Sequence, residues 1–174
     1  MDARYITIKD FDMNQGDGIN VSLWLSGCEH KCPGCYSPHT WDFNQGELFT
    51  PKTIDFIINL LKKDNIHKNL SILGGEPFQQ NPSEILGLLK TLKDRVGKPI
   101  WLWTGYEFDS IPKEYKECLD YIDVLIDGRY VEELKDIKMI CLNSTSRSSL
   151  LLGNCLGHSS EDAIRYNFGC IYSH

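Results

Sequence analysis

Three cysteines fall close together in the run Gly27-Cys-Glu-His-Lys-Cys-Pro-Gly-Cys35, spaced Cys-x3-Cys-x2-Cys at Cys28, Cys32 and Cys35. Gly27, Pro33 and Gly34 interrupt any helix or strand here, so the thiols sit on a loop. The residues before it, Ile19 to Leu25 (INVSLWL), alternate apolar and polar and read as a strand. The fold must therefore present a thiol-bearing loop at the C-terminal end of a strand. In parallel α/β sheets that end is where ligand sites collect.

The rest of the chain supplies the sheet. Arg4 to Lys9 reads as a first strand and Asn14 to Gly18 as a turn-rich loop. Thr50 caps a helix with Pro51 at its first position, and Ile54, Ile57, Ile58 and Leu61 repeat at helical spacing through Lys63. Leu70 to Leu73 is a short apolar strand that runs into Gly74-Gly75-Glu76-Pro77. Asn81 caps a second helix, with Glu84 placed for a capping box and Ile85, Leu88, Leu89 and Leu92 as its apolar face. Pro99 to Trp103 and Ile122 to Ile126 read as further strands, with a short helix over Pro112 to Leu119 between them. Strand–helix–strand repetition with connections of this length predicts a parallel sheet covered by helices. Trp101 and Trp103 share one strand face, and core packing is expected of at least one.

At 174 residues the chain is expected to form one small domain with its own core. The net charge of -6 disfavours a nucleic-acid or anionic-membrane partner. The N-terminal residues lack the basic-then-apolar pattern of a secretory signal, and no apolar run approaches the ~20 residues of a membrane span. A cytoplasmic location is expected. In a reducing compartment, thiols spaced this tightly bind metal or do redox chemistry rather than form a disulfide framework.

Structural zinc takes four protein ligands, and the loop offers three cysteines. His30 or His39 could complete a zinc site, but there is no second Cys-x2-Cys. A [4Fe–4S] cube takes one thiolate per iron, so three cysteines leave the fourth iron open to a substrate or cofactor. The iron–sulfur reading fits the spacing better.

Cys-x3-Cys-x2-Cys after an early strand resembles the motif of radical S-adenosylmethionine (SAM) enzymes. Cys-Pro-Gly-Cys-Tyr36, Thr40-Trp41, Gly74-Gly-Glu-Pro77, Trp101-Leu-Trp-Thr-Gly-Tyr106 and Asp123-x3-Asp127-Gly128 follow in order. Together they resemble the family of anaerobic ribonucleoside-triphosphate reductase activating proteins, small glycyl-radical activases, from the N-terminus to about Lys135. The resemblance implies a single small α/β domain built as a partial, open parallel (βα) barrel of the radical SAM type. It implies a radical SAM oxidoreductase that reductively cleaves SAM at a [4Fe–4S] cluster. The 5′-deoxyadenosyl radical then generates a glycyl radical on the large subunit of an anaerobic ribonucleoside-triphosphate reductase, with an electron donor such as flavodoxin. A chain this short leaves the barrel open on one side, which suits a macromolecular substrate.

By the same resemblance, Cys28, Cys32 and Cys35 hold the cluster. The backbone of Gly34 and Cys35, or the ring of Tyr36, contacts adenine; Gly34 stands where many radical SAM enzymes have an aromatic. Gly74, Gly75, Glu76 and Pro77 form the turn that binds the SAM amino group, through glycine carbonyls or the Glu76 carboxylate. Asp123 and Asp127 lie ~13 Å apart if both are on one strand, too far to act on one atom. The histidines carry no motif of their own, and Thr104, which could hydrogen-bond SAM, is left out of the expected site.

Residues 1–135 are thus expected to form the radical SAM core domain, and 136–174 a divergent C-terminal tail. Asn143 to Ser149 (NSTSRSS) does not match the family's usual ending, and Cys141, Cys155 and Cys170 are too widely spaced for a second site. Two rival readings remain compatible with the residues: a radical SAM enzyme with another substrate, and a non-catalytic zinc-binding interaction module.

Overall fold

A computed structural model of the chain describes residues 3–132 in full, and the backbone of two short strands at 149–151 and 165–166. The strands are β1 (Arg4–Asp12), β2 (Asn20–Leu25), β3 (Glu47–Leu48), β4 (Asn69–Gly74), β5 (Ile100–Trp103), β6 (Val124–Ile126), β7 (Ser149–Leu151) and β8 (Arg165–Tyr166). They form one sheet in the order β3-β1-β2-β4-β5-β6-β7-β8. Two α-helices, α1 (Pro51–Lys62) and α2 (Pro82–Val96), and a 3-10 segment over Lys113–Tyr121 accompany it.

The sheet is mixed, where the sequence reading expects a parallel one. Only β2, β4, β5 and β6 run parallel, while β1, β3, β7 and β8 are antiparallel to their neighbours. For β1 and β2 the reason is connection length. The few residues between β1 and β2 can only make a hairpin, whereas a parallel return needs a crossover of a dozen residues or more. The segment 143–148 and Cys141, Cys155 and Cys170 lie outside the described residues.

Each helix forms where its ends are specified. Thr50 opens α1, its N–H donating to Thr53 Oγ1 at 3.1 Å. Asn81 Oδ1 accepts from Ser83 N at 3.0 Å and caps α2, and Gly97 closes α2 in the left-handed conformation. Glu84 does not complete a capping box; its carboxylate accepts from Ala3 N at 2.7 Å and ties the chain start to α2. Ile85, Leu88, Leu89 and Leu92 face the sheet, buried as their spacing predicts. Burying four such side chains contributes roughly 6–12 kcal/mol before the entropy of ordering is counted.

The helices cover one face of the sheet. Val21, Leu23 and Leu25 of β2, Leu70 and Ile72 of β4, Ile100 and Leu102 of β5, and Leu125 of β6 point into that core with α1, α2 and Phe78. The other face differs. Register places Asn20 beside Asn69, Ser22 beside Ser71 and Trp101, and Trp24 beside Leu73, level with Trp103 and Ile126. The loop between β1 and β2 folds over the lower part of this face. Ser71 Oγ donates to the Gln15 carbonyl, Asn69 Nδ2 donates to the Asp17 carbonyl at 2.8 Å, and Gly16 lies against the Trp101 ring. Trp101 and Trp103 stack here, centroids 6.0 Å apart, both only partly buried. Neither joins the buried core, where the sequence reading expects at least one of them, because strand alternation turns both away from the helices.

Candidate functional site

The cysteine loop leaves the C-terminal end of β2, beside the turn that leaves β4. Backbone bonds join the two: Gly75 N donates to the Leu25 carbonyl at 2.8 Å, and Glu76 N to the Gly27 carbonyl at 2.7 Å. The approach is so close that a Cβ on Gly75 would lie 2.5 Å from the Gly27 oxygen, which only glycine allows. Gly27 has a φ of +97° and packs under the Phe43 ring, so the turn into the thiol loop also needs glycine.

Cys28, Cys32 and Cys35 are all half-buried and free of disulfides. Cys35 N donates to the Cys32 carbonyl at 3.1 Å, curling the loop, and Ser37 N reaches Cys35 Sγ at 3.4 Å. Burial pushes the Cys28 thiol up to about 11, so a metal must displace its proton to bind the thiolate. Gly34 is exposed with Glu132 packed against it, and Tyr36 is 75% exposed. Gly74 and Gly75 are half-buried, while Glu76 and Pro77 are buried.

Glu76 is where the site converges. Its Oε1 accepts from Phe78 N at 2.9 Å and Thr104 Oγ1 at 2.8 Å; its Oε2 accepts from Gly105 N at 2.7 Å and lies 3.1 Å from His30 Nε2. An ionised carboxylate offers about four lone-pair positions, and these four partners take them. Thr104 Oγ1 itself accepts from Tyr106 N, which leaves its proton for Glu76. One buried side chain thus joins the turn after β4, the end of β5 and the cysteine loop.

Supporting contacts run alongside. Gln79 Oε1 accepts from Glu29 N at 2.7 Å, and Gln80 Nε2 donates to the Ser26 carbonyl at 3.0 Å. The His30 ring meets Tyr106 edge-on at 4.7 Å. His30 enters the sequence reading only as a possible zinc ligand, and Gln79 and Gln80 do not enter it, because none carries a motif. The one available signal for His30 is its place inside the cysteine run. Asp123 and Asp127 are structural: Asp123 pairs with Lys93 and accepts from Ile100 N, and Asp127 accepts from Phe108 N.

The donor set bears on the metal. Among the described residues, no three His, Cys, Asp or Glu side chains are grouped for a single ion. His30, the near candidate for a fourth zinc ligand, is engaged with Glu76. A four-iron cube places each thiolate on a different iron, so three thiols spread along one loop fit it.

Comparison with known proteins agrees. A family model described as a 4Fe-4S single cluster domain matches residues 14–150, which include all three loop cysteines. A Salmonella typhimurium protein named anaerobic ribonucleoside-triphosphate reductase-activating protein is 39% identical over 147 residues, covering 83% of this chain and 96% of that one. The chain belongs to this family of activating proteins. The Escherichia coli K12 activating protein is 40% identical over 139 residues, covering 78% of this chain and 90% of its own. The activating protein of Enterobacteria phage T4 is 42% identical over 137 residues, covering 78% and 86%. Among the described residues of this chain, no helix is long and apolar enough to cross a membrane.

Proposed function

We propose that this chain is a radical SAM enzyme that installs a glycyl radical on an anaerobic ribonucleoside-triphosphate reductase, the partner named by its relatives. The observation that carries this is the placement of three half-buried thiols directly beside a double-glycine turn, at adjacent ends of the parallel strands β2 and β4. The parallel set β2, β4, β5 and β6 would be the open partial barrel of that class, and residues 1–135 its core domain. An electron donor such as flavodoxin and a cytoplasmic setting go with this reading.

Cys28, Cys32 and Cys35 would hold a [4Fe–4S] cluster. The chemistry the group supplies when bound is one-electron reduction of SAM to methionine and a 5′-deoxyadenosyl radical, which takes a hydrogen atom from a glycine Cα. The chain's own residues bind and orient. The Gly74 and Gly75 backbone would accept from the SAM ammonium, a role the four donors already on Glu76 favour over its carboxylate. The Gly34–Cys35 backbone and the exposed Tyr36 ring would receive the adenine.

The test is anaerobic reconstitution of wild type and Cys32→Ala. Wild type should bind iron and sulfide, form 5′-deoxyadenosine with dithionite and SAM, and give a glycyl-radical signal only with the reductase present. Cys32→Ala should lose 5′-deoxyadenosine formation. A colourless wild type that holds stoichiometric zinc, or a Cys32→Ala variant with undiminished yield, would overturn the reading.

A further inference from the structure

We infer that His30 is a positioning residue that sets the register between the cysteine loop and the Gly74–Gly75 turn, acting through Glu76. The inference rests on the reading above and deepens it. If SAM spans both segments, with one end at the cluster that the loop cysteines would hold and its amino N–H groups on the glycine turn, the separation of the two segments is part of the binding site.

Two kinds of contact fix that separation. At the loop's base, backbone bonds from Gly75 and Glu76 hold Leu25 and Gly27. Further out, the loop passes the turn between Cys28 and Cys32, and there His30 supplies the tie. Its Nε2 lies 3.1 Å from Glu76 Oε2, its side chain is 6% exposed, and its ring sits over Gly105 and against Tyr106. The Glu76 carboxylate cannot follow the loop if the loop shifts, because Phe78 N, Gly105 N and Thr104 Oγ1 hold it to the rigid ends of β4 and β5. A fixed carboxylate and a buried ring leave the loop one position relative to the turn. Glu29 N bonded to Gln79 reinforces the same register from the adjacent residue.

The geometry offers two independent ways to break the tie. His30→Ala removes the donor. Gly105→Ala keeps the imidazole but places a methyl 2.5 Å from its Cδ2, which moves the ring off Glu76. His30→Gln keeps an N–H donor at similar reach and should rescue.

The experiment compares these variants with wild type at equal iron and sulfide content, reading the equilibrium dissociation constant for SAM and the electron paramagnetic resonance spectrum of the reduced cluster with and without SAM. His30→Ala and Gly105→Ala should bind SAM about tenfold or more weakly, the scale of one lost hydrogen bond to a charged group. KM for SAM should rise while turnover at saturating SAM stays within about twofold, as for loss of uniform binding. The SAM-induced spectral change should broaden, and His30→Gln should restore both readouts. If His30→Ala does not take up iron, Gly105→Ala decides alone. Wild-type affinity and spectra in Gly105→Ala, beside a normal SAM response in wild type, would overturn the role of His30 and leave the proposed function standing. Absence of any SAM response in wild type would overturn the underlying reading instead.

Discussion

Glu76→Ala separates a structural carboxylate from a ligand-binding one. The substitution removes the acceptor for four buried donors at once. Thr104 can turn its hydroxyl away and His30 can shift its ring, but the amides of Phe78 and Gly105 are fixed by the backbone. Each orphaned buried amide costs about 1–3 kcal/mol, so the two together cost about 2–6 kcal/mol, trimmed by no longer burying a charge. Glu76→Gln keeps Oε1 for Phe78 and Thr104 while turning an NH2 toward Gly105 N–H, and should cost less, about 1–3 kcal/mol. The assay is urea unfolding of the metal-free chain followed by tryptophan fluorescence, which avoids coupling to cluster loss. Trp24, Trp101 and Trp103 lie within the sheet and report its opening. With a slope of about 2 kcal/mol per molar urea, Glu76→Ala should lower the midpoint by about 1–3 M, and Glu76→Gln by less. A midpoint within about 0.3 M of wild type for Glu76→Ala would refute the reasoning and return the carboxylate to the role of a ligand group.

Gly27→Ala forces an L side chain into a φ of +97° and against the Phe43 ring; it should destabilise by about 2–5 kcal/mol, read as a lowered thermal midpoint. Gly18→Ala, at a φ of +66° with open space around it, is the matched control and should cost only about 1–2 kcal/mol. Lys68 is fully buried, its Nζ 2.6 Å from Asp10 Oδ1, 3.2 Å from the Leu60 carbonyl and 4.0 Å from the Phe11 ring centroid. Lys68→Met keeps the volume but leaves Asp10 without its cation, and chemical denaturation should show a loss of about 1–3 kcal/mol because Asp10 keeps the Phe11 amide and some contact with water.

Much of the layout was legible because local signals and tertiary structure agree. Thr50-Pro51 and Asn81-Pro82 open helices, the four leucine and isoleucine positions of α2 are buried, and the cysteine loop leaves β2 as its glycines and proline require. What was not legible depends on long-range partners. Glu84 has the spacing of a capping box, yet the Ala3 amide competes for it from the far end of the chain. Alternation in β2 suggests a half-exposed strand, but every residue of it is buried, because the loop before it folds back over Asn20 and Ser22. Glu76 reads as a ligand group from its place after two glycines; only the folded chain brings Thr104, Gly105 and His30 to it. The parallel expectation failed at β1, whose pairing with β2 is set by their short connection and not by strand composition.

The reach of the Glu76 contacts sets an order of events during synthesis. His30 precedes Glu76 by 46 residues, and Glu76 precedes Gly105 by another 29. At 5–20 residues per second a ribosome needs roughly 4–15 s to pass from one end of this set to the other. Until Gly105 is added, the three thiols are made but lack the finished tie that shapes their loop. Metal delivery that waits for β5 meets a finished receptacle, whereas delivery to the emerging chain meets three unorganised thiols open to oxidation.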